Sequence, residues 1–103
     1  MGSTSPWANC RSELLESAAL RQSLAARLHQ QRRRLAEAAG RLGNSSLGRP
    51  HAQAELAVLS LALEVLTQPA GAIPETLPRS AEQRVTREEA ALLQELAQPE
   101  PVA

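Results

Sequence analysis

The chain has 103 residues, no formal net charge and 43% hydrophobic content, yet it holds one tryptophan and no phenylalanine or tyrosine. Its 19 alanines, 17 leucines, 11 arginines and 11 glutamates, with no lysine or aspartate, are strong helix formers, so the expected fold class is all-α. This composition argues against strands. The lone Cys10 excludes an internal disulfide framework, and the apolar run Leu56–Leu66 falls short of the roughly 20 residues that span a bilayer.

Residues 1–10 show no periodicity and read as a flexible N-terminus from which Trp7 is free to dock. They lack the apolar h-region of a signal peptide, so an intracellular location, cytoplasmic or nuclear, is expected. Residues 11–42 read as one long helix with Ser12 as N-cap. Leu14, Leu28, Leu35 and Leu42 stand at heptad spacing, which predicts a coiled-coil-like seam. Arg21 and Arg32 interrupt that stripe, either laying their stems over apolar surface or seeking glutamates on a facing helix.

Gly43 to Arg49 is a turn cluster. Residues 50–68 read as a second helix, with Pro50 in the first turn where a missing N–H costs nothing. Ala52, Leu56, Leu59, Leu63 and Leu66 make one face, and Val58, Leu61 and Val65 an adjoining one. A helix apolar over most of its circumference is buried on several sides, so the first helix alone cannot cover it. The third helix, a second copy or a partner must complete the cover.

Residues 69–80 carry Pro69, Gly71, Pro74 and Pro78 and read as a proline-rich linker. A short third helix is expected over 81–97. Thr86-Arg87-Glu88-Glu89 resembles a capping box with Val85 as its hydrophobic staple, and Ser80 to Gln83 is a weaker box upstream. Leu92, Leu93 and Leu96 give this helix an apolar face, and 98–103 is a disordered tail.

The charge is divided along the chain: residues 1–49 carry net +5 and residues 50–103 net −5. The two halves can therefore fold on each other as a helical hairpin, or one half can serve a partner. Arg27, Arg32, Arg33, Arg34 and Arg41 form a basic patch whose members at 27, 34 and 41 line one flank. Such a row suits phosphate or nucleic acid, but no aromatic stands near it for base stacking, and glutamates are the simpler counterpart.

Catalytic signals are absent. His29, His51 and Cys10 form no recognisable nucleophile set, and His51 with Glu55 offers only two metal ligands. No enzyme activity, cofactor or metal is expected. Leu56, Leu59, Leu63 and Val65 also fit a nuclear-export spacing, and Glu88 with Leu92-Leu93 a dileucine pattern, on leucines already required for packing. The sequence thus predicts a small non-enzymatic interaction protein, a subunit or adaptor that packs against other helical proteins or a second copy of itself. Its packing residues are Leu28, Leu35, Leu42, Leu56, Leu59, Leu63 and Leu66, with Leu61 and Val65 as the partner-facing pair. The alternative is a nucleic-acid or phosphate-binding module built on the flank from Arg27 to Arg41.

Overall fold

Ser5 and Pro6 open a helix that the hydrophobic periodicity does not announce. The Ser5 hydroxyl accepts a hydrogen bond from the Ala8 N–H at 3.1 Å, and Pro6 occupies the first turn. The computed structural model describes residues 5–42 and 48–97, and its regular elements there are all helical. They are α1 (Pro6–Glu16), α2 (Ala18–Leu42), α3 (Gly48–Thr67) and α4 (Arg79–Ala97), with a 3-10 turn at Ala70–Ala72. Expectations for residues 1–4, for positions 43–47 of the turn, for the Leu42 side chain and for the tail over 98–103 lie outside the described residues, whereas Gly48 and Arg49, expected in that turn, already belong to α3.

Two corrections concern the first half of the chain. Residues 6–10 are not a flexible lead-in, because Trp7, Cys10 and Leu14 form a buried stripe along α1. A helix of 11 residues is marginal alone, so this stripe is what holds it. The expected single helix over 11–42 is also broken. Ser17 takes an extended conformation, φ −130° and ψ 106°, and serves both helices. Its N–H donates to the Glu13 carbonyl at 3.2 Å, while its hydroxyl accepts from the Leu20 N–H at 3.1 Å. Arg21 does not seek a glutamate. Its guanidinium donates to the carbonyl of Leu14, satisfying the end of α1.

The break resets the seam. Leu14 belongs to α1, whereas α2 presents Leu24 and Leu28, both fully buried, and the half-buried Leu35. The largest helix–helix interface lies between α2 and α3. In α3 the buried residues are Ala52, Leu59, Ala62, Leu63, Val65 and Leu66, with Leu56, Val58 and Leu61 half-buried beside them. The cover that this apolar helix demands comes from within the chain, since α4 packs on it as well.

The proline-rich linker is also more ordered than expected. Its 3-10 turn is closed by the Ala72 N–H on the Pro69 carbonyl at 2.8 Å, and Ile73 enters the core. Arg11 of α1 donates to the Ile73 carbonyl at 3.0 Å, tying the connection to the first helix. Helix α4 then begins at Arg79, before either expected capping box. The Glu82 N–H donates to the Pro78 carbonyl at 3.0 Å, and the Glu82 carboxylate accepts from the Leu77 N–H at 3.0 Å. Thr86 is therefore mid-helix, and its box with Glu88 and Glu89 is a false start. Both glutamates are buried.

Candidate functional site

Three features of the assembled chain carry chemistry, and the first is a buried polar cluster between α1 and α4. Cys10 projects from α1 about one turn from its start, where Thr86 and Glu89 of α4 and Glu13 of α1 converge on it. Burial pushes the Cys10 thiol well above its usual range, and the charge of Glu89 pushes it further. Such a thiol stays protonated and is a poor nucleophile. Glu89 is 5% exposed, and its Oε2 has no hydrogen-bond partner; neither do Thr86 Oγ1 and Trp7 Nε1. Burial pushes the Glu89 carboxyl up to about 7; the Cys10 thiol pulls it back, and the neighbouring charge of Glu13 adds to the rise.

The second feature is a pair of ionic clamps on α4. Arg27 of α2 donates to Glu88 at 2.9 Å and also meets Glu95, while Gln31 donates to Glu88 at 2.8 Å. Burial opposes the ionisation of Glu88, but the hydrogen bonds from Arg27 and Gln31 outweigh it and hold the carboxyl below its usual range. Arg84 bridges to Glu55 of α3. Both members of that pair line a groove of about 690 Å³, together with Pro6, Trp7, Val58, Thr86 and Arg87.

The third is a surface hollow of about 440 Å³ at the α1–α2 break. Ala19, Leu20, Leu93 and Leu96 give it apolar lining, and Glu13, Glu16, Ser17 and Ser23 complete that lining. Leu96 continues the inward stripe of α4 that begins with the buried Ala81 and Val85 and the half-buried Leu92. Yet Leu96 is 68% exposed and Leu93 38%, the two large apolar side chains left most open among the described residues. The stripe outruns the helices that cover it.

No family model matches this chain, and no match is found among curated proteins or solved structures. The residues themselves carry the functional reading.

The expected site residues are distributed unevenly over these features. Leu28, Leu59, Leu63 and Leu66 are core, and Leu35, Leu56 and Leu61 are half-buried. Val65 is 5% exposed, which corrects its assignment as partner-facing: it packs inside the monomer. The basic patch is divided. Arg27 is committed to the clamp, whereas Arg32, Arg33, Arg34 and Arg41 are exposed and in no ion pair among the described residues. His51 is exposed, and among the described residues no three metal-ligating side chains gather. No helix among them is long and apolar enough to cross a membrane.

The sequence reading missed the Cys10–Glu89 cluster and the hollow. Glu89 reads as the end of a capping box, and its one linear sign of burial is its helical spacing from the apolar Val85 and Leu92. Leu93 and Leu96 were visible as an apolar face, but nothing in a linear pattern says where a covering helix stops.

Proposed function

We propose that this chain is a small non-enzymatic interaction protein, a subunit or adaptor that receives a helix of another protein at the hollow between the α1–α2 break and the end of α4. The observation that carries this is Leu96, 68% exposed on a stripe whose earlier members Ala81 and Val85 are core and Leu92 half-buried. Contiguous exposed apolar side chains at the end of an otherwise covered stripe mark contact sites. Helix-in-groove recognition uses such a surface. The α2–α3 pair supplies the hairpin frame against which α4 is held by the Arg27 and Arg84 clamps. The polar cluster at Cys10 has the character of a buried structural site and lacks an accessible nucleophile.

The test compares the wild-type chain with a Leu93→Ser/Leu96→Ser variant, both tagged and purified from the cells that make the protein. Both exposed positions tolerate polar residues, so helicity and melting temperature stay within the small range of surface substitutions. Proteins that co-purify in stoichiometric amount with the wild type are expected to be lost from the variant. Their retention by a folded variant would overturn the reading.

A further inference from the structure

The hollow has a sign as well as a shape. Its rim holds two carboxylates, Glu13 and Glu16, both exposed and in no ion pair among the described residues. The nearby arginines of α2 do not neutralise them: Arg21 caps the carbonyl of Leu14, and Arg27 is spent on Glu88 and Glu95. A lining that joins leucines to carboxylates, with no basic side chain among them, selects for cations next to apolar anchors.

Resting on the interaction reading above, we propose that the hollow receives an amphipathic partner helix whose flank is basic, with arginine or lysine beside leucine-like anchors. The hollow is too small for a whole helix, so anchor side chains enter it while the helix lies across Ser17, Ala19 and Ser23, whose small side chains permit close approach. Basic residues on the flank then meet Glu13 and Glu16. A second copy of this chain is the weaker occupant. A two-fold contact centred on Leu96 sets the same patch against itself, bringing each Glu13–Glu16 rim towards its own copy. The exposed arginines of α2 are themselves no substitute, because the stretch from Arg32 to Arg34 is exposed and the only large apolar residue beside it, Leu35, is already half-buried.

The experiment uses the full chain and three labelled synthetic helices that share leucines at i, i+3, i+4 and i+7 and differ only in flank: arginine, glutamine or glutamate. Binding is read by fluorescence anisotropy at two salt concentrations. The arginine-flanked helix is expected to bind about five- to tenfold more tightly than the glutamine-flanked one, with the advantage shrinking at high salt. In Glu13→Gln/Glu16→Gln the advantage disappears and the leucine-dependent binding remains. Equal binding of the arginine and glutamine helices, abolished by Leu93→Ser/Leu96→Ser, would sink the charge inference and leave the interaction reading intact. Persistence of the arginine preference in the glutamine double variant would also sink it, by moving the cation elsewhere. Failure of all three helices to bind tells against both proposals. Self-association of the wild type that Leu96→Ser abolishes, seen by sedimentation, would replace the basic helix with a second copy.

Discussion

Glu89 is buried where α4 meets α1. A carboxyl at the α1–α4 interface, with one oxygen unpartnered and Glu13 beside it, is better held protonated than ionised. Its value rises from the usual 4.5 to about 7 in the folded chain. The unfolded chain releases this proton first. The associated stability is therefore fully present below about 4.5 and is lost as pH climbs through about 7. Glu88 has the opposite sign: its contribution is lost only as pH falls below the ordinary carboxylate value. Between pH 5 and 8 the melting temperature of the wild type is expected to fall, while that of Glu89→Gln stays nearly level and exceeds the wild type at pH 8. Parallel pH curves for the two proteins would show that Glu89 does not set the slope.

Between elements, the decisive events are at helix ends and across helix pairs. Ser17 breaks a run of helix formers that has no proline or glycine before Gly40. The break survives because the Ser17 hydroxyl and the Arg21 guanidinium satisfy groups that an interrupted helix exposes. The arginines of α2 then separate by what they touch. Arg27→Gln leaves the buried Glu88 without its cation and is expected to cost about 1–3 kcal/mol in a denaturant titration. Arg33→Gln and Arg34→Gln touch a solvated face and are expected to change stability by no more than about 0.5 kcal/mol. Similar costs at all three positions would mean that the charge of α2 acts as a field and not through the clamp.

Across the whole molecule, one core joins all four helices. Trp7, Cys10 and Leu14 of α1 belong to the same buried cluster as Leu24 and Leu28 of α2, Leu59 and Leu66 of α3 and Val85 of α4. A helix as short as α1 has no stability apart from that cluster, so it is expected to unfold with the rest. Trp7, the only tryptophan, reports this directly. Its fluorescence and the far-ultraviolet circular dichroism should follow the same denaturation curve. Leu14→Ala, at a site with no solvent exposure, is expected to shift both together by about 2–5 kcal/mol. A fluorescence transition that precedes the helix signal would instead make α1 a separately docked arm.

Much of this architecture is written locally. Alanine, leucine, arginine and glutamate in helical spacing determine that the described elements are helices, and the apolar circumference of α3 determines that it is buried on more than one side. Local chemistry was ambiguous at the ends, where several serines and threonines each satisfy the rules for a cap. Ser12 and Thr86 look as suitable as Ser5 and Ser17, and the free energies of competing caps differ by about 1 kcal/mol or less. Tertiary packing chose among them: burying Trp7, Cys10 and Leu14 outweighs such differences several-fold. The same packing brought Glu89 against Glu13 and left Leu96 uncovered. Both depend on where one helix ends against another, a distance in space that no periodicity along the chain encodes.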